Sequence, residues 1–297
     1  MRLETVPRAA SGVSRRARLR RVLLNPRGGG TRGSAACSST RGEGPRGGGG
    51  DPYGRGVTPT DATTERRSDP TGMLCALVGI ALAIAAVVIF EAMSRRGVIS
   101  ADVQTPLSYL VTWVPMAGAV IVYIAMRPRN ARATLRWGIR WIDLLWGAAL
   151  GIACRMIAIV TSLAVYGNTG LGQAPTIGGA VDPWLVFGAL IAPIVIAPVI
   201  EELFFRGLAL GSLYDEVGGA KRRGASAAIA IVVTTVLFTA VHLIGVPTEQ
   251  AAIATAVPVF VLGAALAGTT LATGRIGAAI IGHVVFNGIA AVIAYPW

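Results

Sequence analysis

Residues that ligate metals or form disulfides are scarce in this sequence, and so are charged residues. The chain of 297 residues has three cysteines and two histidines, and 14% of its residues are charged. Cys37, Cys75 and Cys154 are scattered and odd in number, and they form no CxxC or Cys/His ligand pattern. Cys75 and Cys154 lie in apolar stretches, where a cysteine is most simply a small buried residue.

Apolar residues dominate what remains. They make up 53% of the chain, and the mean hydropathy is +0.62. Seven apolar stretches approach or exceed the ~20 residues that a helix needs to cross a bilayer. They cover residues 73–93, 106–126, 142–166, 184–213, 225–245, 251–272 and 276–295. Because backbone polar groups in lipid must be satisfied within the segment, these stretches predict helices. The sequence therefore predicts an all-α fold, a polytopic transmembrane bundle of about seven spans over residues 73–297.

The first 72 residues have a different composition. They hold 14 arginines and six acidic residues, which gives eight of the chain's net +12 charges, together with runs of glycine. Such a segment cannot bury enough apolar surface to offset its ordering entropy, so we expect residues 1–72 to be a disordered tail. Tyr53 is its single aromatic residue, so we expect no nucleic-acid partner. A natural start at Met73, or a transit peptide in the tail, is consistent with the same composition.

The charges between the apolar stretches predict an orientation. Arginine and lysine cluster at 127–140, at 214–224 and at Arg275, whereas 167–183 and 243–250 have none. These segments alternate along the chain, so we expect a multi-pass protein of the cell membrane with its N-terminus in the cytoplasm. The tryptophans near the proposed span ends fit an interfacial belt; they are Trp137, Trp141, Trp146 and Trp184.

Charged side chains inside spans are costly, by at least ~2.5 kcal/mol each on insertion scales, and by default they mark functional sites. Glu201, Glu202 and Arg206 lie inside the stretch 184–213. On a helix, Glu202 and Arg206 are i,i+4 neighbours, while Glu201 is rotated by about 100°. One carboxylate can therefore pair with Arg206 while the other faces a different neighbour. A buried ion-pair network that only fixes packing is the structural alternative.

The two histidines extend this polar set. His242 follows Phe238 by four residues, and His283 precedes Asn287 by four, each in a later apolar stretch. A carboxylate shielded from bulk water is an effective general base, and a nearby histidine can share its water. His283 and Asn287 can donate hydrogen bonds to an oxyanion. Glu201, His242 and His283 could instead bind Zn²⁺ with a water as the fourth ligand.

At these residues the sequence resembles the CAAX prenyl endopeptidase and bacteriocin-processing (CPBP, or Abi) family of intramembrane proteases. The family pattern of Glu-Glu-x-x-x-Arg, Phe-x-x-x-His and His-x-x-x-Asn is met in order, and the resemblance covers about residues 140–295. It implies a membrane hydrolase that cuts a membrane-associated protein or peptide near the cytoplasmic side. Prenylated proteins are substrates of the eukaryotic branch, and the Arg, Gly and Ala usage favours a bacterial relative with another substrate.

The resemblance also implies a role for each residue. Glu201 and His242 activate the water, Glu202 and Arg206 shape the site, and His283 and Asn287 stabilise the oxyanion. The prenyl endopeptidase branch resembles a metal-free glutamate protease. We therefore favour a site without a cofactor, and zinc is the alternative. A proton-coupled transporter and a non-catalytic membrane scaffold are the alternative functions, because intramembrane Glu, His and Arg also build proton relays.

Two expectations concern position. Arg155, in the middle of the third span, should face the bundle and pair with a carboxylate, for which the candidates are Glu91, Asp143 and the pair Glu201 and Glu202. Counting ~1.5 Å per residue from the proposed cytoplasmic ends places Glu201 ~18 Å deep, His242 ~26 Å and His283 ~10 Å. A shared site therefore requires the helices to be tilted, kinked or offset along the bundle axis.

Overall fold

The computed structural model describes residues 70–169 and 187–294, and within these residues it is helical with no strand. The predicted all-α fold is confirmed. Seven of its helices are regular: α1 Pro70–Arg95, α2 Ala101–Met126, α3 Pro128–Thr134, α4 Trp141–Tyr166, α6 Arg223–His242, α7 Glu249–Thr273 and α8 Gly277–Ala294. Between α4 and α6 lies α5, residues 187–216, which alternates between two helical forms.

Five helices of the described part of the chain are long and apolar enough to cross a membrane: α1, α2, α4, α6 and α7. The chain is thus a membrane protein, as predicted. The remaining two predicted spans correspond to α5 and to α8, whose apolar stretch Gly277–Ala291 is shorter. α7 runs without a break through the buried Pro258.

The predicted tail lies, up to residue 69, outside the described residues. α1 already begins at Pro70, three residues before the predicted boundary, and Gly72 is buried in the bundle against Ser212. Trp184 of the predicted aromatic belt is also outside the described residues. Trp137, Trp141 and Trp146 have exposed side chains near the start of α4.

α5 is the central helix, and it contacts α1, α2, α6, α7 and α8. Its π-helical stretches, Phe187–Ile196 and Leu203–Ala209, flank a short α-helical stretch, Ala197–Glu202, that carries both glutamates. Phe204 and Phe205 are fully buried in the largest apolar core, which they share with residues of α1, α2 and α6. Wide π turns are frequent at functional sites, because they redirect side chains relative to a regular helix.

Two prolines leave backbone carbonyls of the first π stretch without a donor in α5. In an i→i+5 pattern the Gly188 carbonyl would accept from the N–H of residue 193, and the Pro193 carbonyl would accept from the N–H of residue 198. Residues 193 and 198 are both prolines, which have no N–H. Other helices supply the missing donors: the Tyr109 hydroxyl of α2 donates to the Gly188 carbonyl at 2.6 Å, and Asn287 Nδ2 of α8 donates to the Pro193 carbonyl at 2.8 Å. α5 is thereby tied to α2 and α8 at the height of the cavity described below.

The start of α8 is fixed by the loop before α4. The backbone N–H of Ile276 donates to the Arg136 carbonyl at 3.0 Å, and that of Gly277 donates to the Gly138 carbonyl at 3.1 Å. Arg275 Nη2 also donates to Asp143 Oδ1 at 2.7 Å and its Nε to Oδ2 at 3.1 Å. This hydrogen-bonded carboxylate raises the pKa of Arg275, so the pair stays charged at neutral pH.

Arg155 has a different partner from the one predicted. Its Nε donates to the Phe286 carbonyl of α8 at 2.8 Å, and its guanidinium carbon lies 3.8 Å from the centre of the Phe286 ring. No carboxylate of the described residues pairs with it. The expectation of a carboxylate partner was wrong because each candidate acid is directed at another cation or at a histidine.

Candidate active site

The predicted site residues of three helices converge on one place. Glu201 Oε2 lies 3.9 Å from His242 Nε2 of α6 and 3.9 Å from His283 Nε2 of α8. These residues and Asn287 line a cavity of about 720 Å³. The residues are therefore at one level, although their distances from the helix ends differ.

The helices are offset along the bundle axis, which explains how Glu201, His242 and His283 lie at one level. α5 continues well beyond the loop on which α8 begins, since Gly207, nine residues before the end of α5, packs against Leu135 of that loop. The last turns of α5 pack against α6 instead, where Leu210 and Ala230 share a buried cluster. His283, near the start of α8, is thus level with the middle of α5 and with the end of α6.

Glu202 is the fully buried member of the acidic pair. Its Oε1 accepts from His283 Nδ1 at 2.8 Å and lies 3.0 Å from Arg206 Nη1. The Arg206 side chain is 2% exposed, and its guanidinium carbon lies 4.1 Å from the centre of the Phe238 ring. This confirms that Glu202 and Arg206 are paired across one turn while Glu201 faces elsewhere. Charged groups removed from water in this way require such partners.

Glu201 is the accessible member of the pair. Its side chain is 12% exposed and lines the cavity, and its buried Oε2 has no hydrogen-bond partner among the described residues. A carboxylate oxygen left unsatisfied in a native fold requires an explanation. Glu202 Oε2 likewise lacks a hydrogen-bond partner within the described part of the chain, so the feature that distinguishes Glu201 is its place between two imidazoles on the wall of the cavity.

Both histidines are held by their Nδ1 atoms. His242 Nδ1 is 2.8 Å from the Phe238 carbonyl, one turn earlier on α6, and His283 Nδ1 is 2.8 Å from Glu202. Because both partners are acceptors, each Nδ1 carries the proton. Each Nε2 is thereby directed at Glu201. The His242 side chain is 31% exposed and that of His283 4%, so His242 is the more accessible of the two.

Asn287 lines the cavity, but its amide nitrogen already donates to the Pro193 carbonyl. The amide has a second N–H, which this bond leaves available. Asn287 thus supports α5 directly, in addition to any contact with a bound molecule.

The separations at the site are wider than those between the ligand atoms of a bound zinc ion. Imidazoles held at Nδ1 are typical of zinc ligands as well as of bases. However, two ligand atoms of a tetrahedral zinc are about 3.3 Å apart, and the carboxylate is 3.9 Å from each imidazole nitrogen. Within the described part of the chain, no group of three His, Cys, Asp or Glu residues is arranged to hold a metal.

The sequence did not identify the wall of the cavity that α2 forms. Tyr109 and Trp113 of α2 stack there, with ring centres 4.7 Å apart, next to Ser108 and Thr112. An i,i+4 aromatic pair beside hydroxyl residues in a predicted span was the available signal. Gly263 of α7 also borders the site, since a Cβ there would lie 3.4 Å from Arg206 Nη2.

Comparison with known proteins supports the resemblance carried by these residues. The family model described as type II CAAX prenyl endopeptidase Rce1-like matches residues 183–289, which include all six predicted site residues. No curated protein and no solved structure matches the chain. The match over residues 183–289 thus supports the CPBP family and indicates, at the level of the family, a hydrolase of the intramembrane peptidase type.

Proposed function

We propose that this protein is an endopeptidase that uses Glu201 and His242 to activate the water that hydrolyses a peptide bond. The observation that carries the proposal is the position of Glu201, whose side chain lines the cavity and whose Oε2 is 3.9 Å from Nε2 of both histidines. A single water within hydrogen-bond distance of Glu201 Oε2 and His242 Nε2 fits this separation. The same water faces the cavity in which a substrate would lie.

The reaction is an acid–base hydrolysis. The water oxygen forms a bond to the carbonyl carbon of the substrate, and its proton passes to Glu201. The resulting oxyanion accepts hydrogen bonds from His283 and from the second N–H of Asn287. The C–N bond then breaks, and the leaving amine takes the proton that Glu201 holds, which restores the carboxylate.

Glu202 and Arg206 act by positioning. Glu202 orients the His283 ring through the 2.8 Å contact at Nδ1, and Arg206 balances the charge of Glu202 at 3.0 Å. Two carboxylates and one arginine leave one negative charge in the cluster. A proton on His283 Nε2 would neutralise that charge and would provide the donor that the oxyanion needs.

The substrate is a membrane-associated protein or peptide, as the family implies. The cavity joins the polar groups to an apolar wall that includes Tyr109, Trp113 and Val259, so it suits a peptide segment with apolar side chains. A prenylated C-terminal peptide is the first probe to use because the family match names that substrate class. The carrier and scaffold alternatives have no comparable support.

The test compares new protein N-termini in membranes that hold equal amounts of the wild type, Glu201→Gln or Glu249→Gln. Glu249 is an exposed acid at the start of α7, so its variant controls for loss of a carboxylate. We expect termini that are present with the wild type and Glu249→Gln and absent with Glu201→Gln. Identical profiles for all three folded proteins, together with no cleavage of the prenylated peptide, would refute the proposal.

Metal dependence is tested with the same peptide. We expect cleavage by purified protein to persist after treatment with a strong chelator, because in the proposed reaction the chain's own carboxylate takes the proton. Loss of activity that returns on adding Zn²⁺ and no other divalent ion would instead assign Glu201, His242 and His283 as ligands.

A further inference from the structure

A second cavity, of about 670 Å³, lies on the other side of α5 from the candidate active site. Its walls are almost entirely apolar: Val120, Ile121 and Ile124 of α2 face Ile200 and Leu203 of α5. Ile121 and Ile124 are 64% and 41% exposed, so the groove is open along α2. In a membrane-spanning bundle, such a groove faces the acyl chains of the bilayer.

One end of this groove is basic. Arg132 of α3 lines the groove beside Trp137, and Arg129 lies one turn earlier on α3, at i,i+3 spacing. Both arginines are exposed, and neither guanidinium has a partner within the part of the chain that the structure describes. Two unpaired cations and an amphipathic indole at the mouth of an apolar groove match a lipid with a negatively charged headgroup.

The nearby acids do not neutralise these arginines. Asp143, the acid that lies closest in sequence, is fully buried and pairs with Arg275. The segment 127–140 itself contains no acidic residue. The charge at the groove mouth is therefore available to an anion from the membrane surface.

We propose that this groove binds an anionic glycerophospholipid, with one acyl chain between α2 and α5 and the phosphate on Arg129 and Arg132. The position of the groove gives the lipid a structural role, since Ile200 and Leu203 flank the two glutamates directly on α5. A bound acyl chain would fill the space behind the short α-helical stretch that carries Glu201. This inference concerns binding and does not depend on the proposed peptidase activity.

The test is photoaffinity labelling of the full-length protein in neutral detergent, with phosphatidylglycerol that carries a diazirine in its acyl chain. We expect labelled peptides from α2 around Ile121 and from α5 around Ile200. Unlabelled phosphatidylglycerol should compete, and phosphatidylcholine with the same chains should compete much less. Labelling spread evenly over all helices, or equal competition by both lipids, would overturn the proposal.

Three variants separate the headgroup from the chain. Arg129→Gln combined with Arg132→Gln should reduce labelling on the order of tenfold, given the attraction of each basic residue to an anionic lipid. Arg96→Gln, at an exposed arginine outside the groove, is the matched control and should leave labelling unchanged. Ala117→Trp fills the apolar end of the groove and leaves both arginines in place. This variant should abolish labelling. Wild-type labelling in either groove variant would contradict the assignment.

Discussion

Glu201 and Glu202 are adjacent in sequence but have opposite physical surroundings. Glu202 is fully buried, with its Oε1 close to Arg206 and His283, whereas the Glu201 side chain is 12% exposed and lines the cavity. Removing one partner of a buried charge pair destabilises the fold, whereas a carboxylate that lines a cavity can contact a substrate. Stability therefore depends on Glu202, and reactivity depends on Glu201.

This contrast predicts different effects for the same substitution. Glu201→Gln should abolish peptide cleavage while leaving thermal stability at or above that of the wild type. Glu202→Gln should lower the unfolding free energy by roughly 3 kcal/mol, because it leaves Arg206 buried without its counter-charge. Thermal unfolding in detergent and peptide cleavage, measured on both variants, test this. A stable Glu202→Gln variant or an active Glu201→Gln variant would show that the roles are assigned wrongly.

Gly263 leaves the space that the Arg206 guanidinium occupies. A Cβ at Gly263 would lie 3.1 Å from Thr235 Cγ2 and 3.4 Å from Arg206 Nη2, whereas a Cβ at Gly268 on the same helix would meet nothing within 4 Å. Gly263→Val should therefore displace Arg206 and reduce both stability and cleavage, and overpacking of this kind typically costs about 1–3 kcal/mol. Gly268→Val is the matched control. Equal thermal stability of the two variants would argue against a tight contact at Gly263.

At the scale of elements, the sequence predicted where the long helices lie, but it did not predict that α5 contains π-helical turns. Long apolar runs specify spanning helices almost independently of context, so the regular helices other than α3 were correctly predicted to within a few residues. α3 lies in the basic segment 127–140, where no helix was predicted. The π turns of α5 depend on donors from Tyr109 and Asn287, which lie far away in sequence. Pro193 and Pro198 indicated an irregularity, but its form is set by tertiary hydrogen bonds.

The pairing of site residues shows the same division. The i,i+4 rule predicted the Glu202–Arg206 pair because both residues are on one helix. The contact of His283 with Glu202 joins residues 81 positions apart, and no local periodicity specifies it. The order of the motifs along the chain, through the family resemblance, was the signal that brought these residues together.

The hydrogen bond from Tyr109 to the Gly188 carbonyl should stabilise α5 in its π form. Tyr109→Phe leaves that carbonyl without this donor, and an unsatisfied buried group costs about 1–3 kcal/mol. We expect a lower melting temperature, and we expect kcat for peptide cleavage to fall more than KM rises, because the position of Glu201 depends on α5. Tyr166→Phe, at the exposed end of α4, is the control and should match the wild type in both measurements. An unchanged kcat in Tyr109→Phe would show that α5 holds its form without this bond.

At the scale of the whole molecule, the site depends on how closely α8 approaches α4. The two helix backbones are in contact, since a Cβ at Gly151 would lie 2.5 Å from the Gly282 carbonyl oxygen and 2.8 Å from Val285 Cβ. Gly147, four residues earlier, is equally close to Ile281 and Ala278. Small residues at this spacing allow helices to pack tightly in a bilayer, where apolar burial alone does not drive association. The α4 surface thus holds α8, and with it His283 and Asn287, against α5.

Gly151→Ala tests whether this packing holds the site together. The added methyl group would collide with backbone atoms, which cannot move without shifting α8, so we expect destabilisation together with loss of cleavage activity. Gly118→Ala on α2, where a Cβ would meet nothing within 4 Å, should instead be neutral or slightly stabilising, because alanine favours helix over glycine. The rate at which a cysteine pair cross-links α5 to α8 reports whether α8 has moved. We expect a fast cross-link in the Gly118→Ala background and a slow one in the Gly151→Ala background. Equal cross-linking and equal activity in the two backgrounds would mean that α8 is held by its contacts with α5 and by the Arg275–Asp143 pair rather than by α4.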